Sequence, residues 1–177
     1  MVPKYSMYIR KKAIRNKKTG AVYHYAYVVE NRWRKKGARQ KVKHYLGKVY
    51  SFPLAFPIEF FAHCKVEEGK EEWLKALTAK QLIQKLVEWE LARHKVEGIE
   101  LDRELGTISK ERKPASIEMG EGMLNSYTLK QLLFFVAEGD EEQDGYRLAK
   151  AFVEAGIQVP QEVFIAVFSK VMERGKV

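Results

Sequence analysis

The chain has 177 residues, a formal net charge of +9, 46% hydrophobic residues and a single cysteine. That hydrophobic content excludes a disordered chain, and one cysteine, Cys64, excludes an internal disulfide and a cysteine-based zinc site. The N-terminus lacks an apolar leader core, and no apolar run approaches the ~18 residues of a membrane helix, so the expectation is an intracellular, cytoplasmic protein with no membrane partner.

The charge is unevenly spread. Residues 4–50 hold fifteen of the 32 Lys and Arg but one acid, Glu30, so this stretch carries +14 and the remainder −5. A concentration of this kind is the electrostatic footprint of a polyanion partner. The same stretch reads as three strands. Residues 4–15 form the first, and Lys17-Lys18-Thr19-Gly20 a turn. Residues 21–34 form the second, with Tyr23, Tyr25, Tyr27, Val29 and Trp33 on one face and Val22, His24, Ala26, Val28, Glu30, Arg32 and Arg34 on the other. Lys35-Lys36-Gly37-Ala38-Arg39 make a second basic turn. In a third strand, residues 40–50, Val42, His44 and Leu46 alternate with Lys41, Lys43 and Tyr45. Short turns between three strands imply an antiparallel meander, which needs a helix to cover one face.

Ser51 to Pro57, with two prolines, marks a boundary. Short helices are expected near 57–64 and 71–77. Thr78-Ala79-Lys80-Gln81 is a capping box that opens the strongest helix, with Leu82, Ile83, Leu86, Val87 and Leu91 as its apolar stripe, ending near Val96 to Gly98. This helix is the expected cover of the basic sheet. Ile99-Glu100-Leu101 and Ser116 to Met119 read as short strands around a polar loop, 109–114, and Gly120-Glu121-Gly122 breaks the chain. Three helices complete the chain: Tyr127 to Ala137 capped by Ser126, Asp140 to Glu154 closed by Gly156, and Pro160 to Arg174. Phe134, Phe135, Phe152, Phe164 and Phe168 give these helices a large apolar face, which suggests a homo-oligomer.

The fold class expected is α+β: an N-terminal three-stranded antiparallel sheet packed on a helix, followed by a helical C-terminal part. Three regions are expected, a basic sheet over 1–52, a helix-rich middle over 53–125 that packs on it, and a three-helix region over 126–177.

Phosphates need Lys and Arg spread along a face, and bases need aromatics or forked donors. The candidate nucleic-acid-binding residues are Arg10, Lys12, Lys17, Lys18, Tyr23, Tyr25, Arg32, Trp33, Arg34, Lys35, Lys36, Arg39, Lys41 and Lys43. Two modes differ. If a helix covers the tyrosines, the charged face meets a duplex; if the tyrosines are open, bases of a single strand stack on them. Duplex DNA, with Trp33 as the best single contact, is the leading expectation. Single-stranded DNA or RNA, and an acidic protein partner, are the alternatives.

The run from Tyr27-Val28-Val29-Glu30-Asn31-Arg32-Trp33-Arg34 through Arg39-Gln40-Lys41-Val42-Lys43-His44-Tyr45-Leu46-Gly47 resembles the N-terminal region of insertion-sequence transposases of the DDE, RNase H-like type. Glu121 to Lys130 resembles a segment downstream of that region in some archaeal relatives. The resemblance implies DNA binding by the N-terminal segment. It does not extend to a catalytic domain, which needs far more chain than remains after residue 47.

No phosphate-binding Gly-rich loop, Gly-x-Ser-x-Gly or His-Glu-x-x-His occurs. His24 and His44, as cross-strand neighbours beside Glu30, are the one arrangement that would support a small nuclease. The expectation is a binding protein with no catalytic residue, cofactor or metal.

Overall fold

The computed structural model describes residues 6–34 and 37–174, and only the backbone at positions 6, 33, 34 and 38. The strands are β1 (Ser6–Arg15), β2 (Val22–Arg34), β3 (Gly37–Ser51), β4 (Glu100–Asp102), β5 (Thr107–Lys110), β6 (Lys113–Met119) and β7 (Gly122–Leu124). The helices are α1 (Phe60–His63), α2 (Lys70–Ala76), α3 (Ala79–Arg93), α4 (Ser126–Leu133), α5 (Glu141–Ala155) and α6 (Gln161–Arg174).

The architecture is mixed α and β. β1, β2 and β3 form the expected antiparallel meander, but the sheet does not stop at three strands. It has seven, in the order β1-β2-β3-β6-β5-β4, with β7 also paired to β6. Nor is it purely antiparallel, because Lys48–Ser51 of β3 run parallel to Ala115–Glu118 of β6. The reason this escapes a sequence reading is that parallel pairing has no connecting turn to announce it. The polar loop expected over 109–114 is the β5–β6 hairpin, and Gly120-Glu121 is the turn into β7.

Local signals elsewhere are realised closely. Thr78 accepts from Gln81 N while the Gln81 side chain accepts from Thr78 N, completing the capping box of α3. Asp140 caps α5 through Gln143 N, and Gly156 closes that helix at φ 71°. α3 ends earlier than expected, at Arg93, and the cap of α4 is the buried Asn125 rather than Ser126. Asn125 Oδ1 takes the N–H groups of Tyr127 and Thr128, at 3.0 and 3.1 Å.

There are two hydrophobic cores. The main one joins α3, α5 and α6 to one side of β6 and β7, with Leu82, Leu86, Ile117, Met119, Leu124, Leu148, Phe152 and Val163 fully buried. The smaller one is Ala26, Val28 and Leu46, packed against Ile9, Val49, Met123 and Tyr127. α3 therefore belongs to the main core. The cover of the basic sheet comes from β7 and the start of α4, because Met123 and Tyr127 follow directly from a strand of that sheet. The phenylalanine face expected of the C-terminal helices is divided. Phe152 lies in the core, Phe164 stacks on Phe168, and Phe134 is half exposed.

Candidate nucleic-acid interface

Only the last four residues of β3 pair with β6 in the ladder, so β1, β2 and the rest of β3 form a ribbon that joins the body along a short seam. Ser116 Oγ donates to Leu46 O at 2.8 Å in that seam. The ribbon's two faces follow from its register, since directly paired residues point the same way.

One face carries Ala26 and Val28, with Ile9 and Lys11 opposite them on β1. It is the covered face: Ala26 and Val28 are buried, and His44 lies 6.2 Å from the Tyr127 ring. The other face carries Tyr23, Tyr25 and Tyr27, opposite Ile14, Lys12 and Arg10. Tyr45 joins them from β3, with its ring 6.3 Å from Tyr25 and 5.5 Å from Tyr27. Tyr45 is 51% exposed and Val42 58% exposed, while Tyr23, Tyr25 and Tyr27 are half-buried and Val29 is buried, so this face is reached by solvent mainly through its β3 residues and the cations of β1. Partial burial, and to a lesser degree charge repulsion from the neighbouring tyrosine hydroxyls, push the Tyr45 hydroxyl pKa up. It stays an uncharged platform through the neutral range.

Two β-bulges set this arrangement. Pairing slips between Ala26 and Tyr27 and between Val28 and Val29, which leaves Leu46 and Lys43 as extra residues in β3. Strict alternation would put Tyr45 with Lys41 and Lys43. The bulges instead turn Tyr45 and Val42 to the tyrosine face, while Lys43 reaches Glu30 on the covered face.

The candidate cations separate accordingly. Arg10 and Lys12 lie exposed on the tyrosine face. Arg10 donates to Gln40, which donates in turn to the Tyr8 hydroxyl, so the guanidinium is oriented across the ribbon. Lys48, absent from the candidates drawn from sequence, stands 4.1 Å over the Tyr23 ring and 5.5 Å from Tyr50, where the ribbon meets the main core. Lys17 and Lys18 are exposed in the first turn, where Asn16 Oδ1 accepts from Lys18 N at 2.8 Å.

Arg32 and Lys43 both pair with Glu30, at 2.8 and 3.2 Å. The Arg32 hydrogen bond is the main cause that holds the Glu30 carboxyl below its ordinary range, with Lys43 adding to it against the effect of burial. Arg39 and Lys41, exposed, pair in register with Arg32 and Glu30. For Trp33 and Arg34 the structure gives the backbone register alone, opposite Ala38 and Gly37, and their side chains lie outside the described residues. Lys35 and Lys36 also lie outside them. The second turn is shorter than expected, because Gly37, Ala38 and Arg39 already belong to β3.

The two histidines do not meet. His44 is opposite Val28 and His24 opposite Ala13, four strand positions apart on β2, so no His24–His44 acid–base pair forms. Among the described residues no group of three or more His, Cys, Asp or Glu is placed to hold a metal, and no helix is long and apolar enough to cross a membrane.

No protein-family model matches the chain, and no curated protein or solved structure matches it. The site's geometry is therefore the ground for a functional reading.

Proposed function

We propose that the chain is a nucleic-acid-binding protein that holds a single strand along the tyrosine face of its β1–β3 ribbon. The observation that carries this reading is the cluster of the half-buried Tyr25 and Tyr27 with the exposed Tyr45, and with Arg10 and Lys12 directly opposite Tyr27 and Tyr25. Alternate residues on a strand are about 6.8 Å apart, close to the reach of one nucleotide of extended single strand. Bases stack on the phenol rings, and the cations of β1 with Lys48 take the phosphates.

The duplex expectation presupposed a helix over the tyrosines and a free charged face opposite. The covered face is the other one, and there Arg32 and Lys43 are engaged with Glu30. The resemblance to transposase N-terminal regions supports DNA as the polymer. It says nothing of strand state.

The test is fluorescence anisotropy with labelled single-stranded DNA, single-stranded RNA and duplex DNA over a range of salt. Single strands are expected to bind tightest, with tyrosine quenching and log K falling linearly with log salt at a slope of about −0.7 per phosphate contacted. A preference for duplex with no quenching would overturn the tyrosine-face reading. No binding at low salt would overturn nucleic acid as the partner.

A further inference from the structure

A cleft of about 920 Å³ lies away from the ribbon, between the Pro53-Leu54 segment, the end of α3, the β6–β7 turn and α5. Its walls are apolar, with Met119, Phe152, Val153, Ile157 and Phe164 among them. Gly122 and Gly156 fix its shape. A β-carbon on Gly122 would overlap Gly156 N and Val153 O, so the β6–β7 turn sits backbone to backbone on the end of α5.

Polar groups of α3 lie among these apolar residues. Glu90, 1% exposed, accepts from Gln158 N at 2.9 Å and from Arg93 at 3.3 Å through Oε1. Arg93, 8% exposed, also reaches Gln158 Oε1 at 3.0 Å, and its Nε is buried with no hydrogen-bond partner. His94 Nδ1 lies 2.7 Å from Phe52 O, and a carbonyl only accepts, so that nitrogen carries the proton. His94 Nε2 then faces Glu90 Oε2 at 3.5 Å, two acceptors side by side when the ring is neutral.

This chemistry specifies a ligand. Burial pushes the Glu90 carboxyl pKa up, and the Gln158 N–H and Arg93 oppose that. With Glu90 ionised against Arg93 the pair is neutral, so an ion would bring an uncompensated charge against buried groups, and an uncharged molecule does not. Arg93 Nε is buried without an acceptor, and an unsatisfied buried group is costly until a ligand supplies the partner; with the His94 ring neutral, Glu90 Oε2 and His94 Nε2 also face each other with no donor between them. The walls call for a compact apolar body. We propose that the cleft is a binding site for an uncharged cyclic amide, the nucleobase edge being the chemical type, with its carbonyl on Arg93 Nε and its N–H shared by Glu90 and His94. The proposal does not depend on the ribbon's function.

The test is an amide-resolved NMR titration of the full chain with thymine, against 1,3-dimethylthymine, benzoate and benzylamine. Ala149→Trp, at an exposed α5 position lining the cleft, blocks the site without touching the core. Thymine is expected to shift the amides of Val153, Gly156 and Gln158, to bind at least about tenfold more tightly than the other three probes, and to lose those shifts in Ala149→Trp. Equal binding of benzoate or dimethylthymine, shifts that survive Ala149→Trp, or no shift from thymine at these amides would each overturn the proposal.

Discussion

Gly47 lies directly against the backbone carbonyl of Pro114. A β-carbon at position 47 would overlap that carbonyl and come within 2.7 Å of Ala115 N. Gly47 also has φ 94°, outside the comfortable range of other residues. This contact is the point where the ribbon joins the body. Gly47→Ala is expected to cost about 3 kcal/mol or more, from backbone strain and overlap together. For a chain of this size that lowers Tm by roughly 6–12 °C. Gly20→Ala is the control, since Gly20 has φ 73° but open space around it. Equal losses in the two variants would show that the seam is not tightly packed.

Tyr45 is the most exposed member of the tyrosine cluster, so Tyr45→Ala tests the stacking face with little damage to folding. Single-strand affinity is expected to fall by about 1–3 kcal/mol, the range for losing one base–aromatic stack. Lys41→Ala, on the opposite face, is expected to lower affinity less and only through charge. Anisotropy titrations of the two variants at one salt concentration decide the order. A larger effect of Lys41→Ala would place the strand on the other face.

Glu30 is the one acid of residues 4–50 and holds both Arg32 and Lys43. Glu30→Gln keeps the shape and removes a negative charge from a cationic surface. Nucleic-acid affinity is expected to rise by a few-fold, with no loss of salt dependence. An unchanged affinity would mean that Glu30 serves the packing of the covered face alone.

Glu118 joins β6 to the ribbon, 2.6 Å from Lys11 Nζ and 2.6 Å from Ser51 Oγ. The Lys11 hydrogen bond, and then that of Ser51, holds its carboxyl below the ordinary range. A carboxyl depressed in the folded state adds stability above its unfolded pKa and loses it as pH falls through the folded one. Glu118→Gln should therefore cost about 1 kcal/mol at neutral pH, since the pair is partly exposed, and nothing in strong acid. Denaturant unfolding of both proteins across this pH range checks the sign. A gap that persists in acid would mean the loss is steric.

Much of the site was legible in the ribbon's local pattern. The period-two run of tyrosines on β2, the basic turn at Lys17-Lys18 and the cations of β1 all follow from neighbours in sequence. Tyr45 and Lys48 were not legible as partners of Tyr25 and Tyr23. The bulges at Lys43 and Leu46 change the alternation of β3; Gly47 beside the second is its one trace in the sequence, and no residue type announces the first. The Glu90, Arg93 and His94 group had one visible trace: three polar residues spaced i, i+3 and i+4 at the end of an otherwise apolar helix. Its meaning depends on Gln158 and Phe52, which sequence does not place beside it.

The sequence by itself determined the features that adjacent residues can settle: three strands and the first turn between them, the capping box of α3, the start of α5 at Asp140 and its stop at Gly156, and the separation of charge between the ribbon and the body. Hydrogen-bonding side chains and φ preferences act within a few residues, so these features need no tertiary partner. Only the tertiary structure decided which face of the ribbon is covered. Alternation separates two faces but does not rank them. The ranking came from Met123 and Tyr127, brought under Ala26 and Val28 by the parallel pairing of β3 with β6 across more than sixty residues of chain. That pairing left uncovered the tyrosine face, on which the proposed function rests.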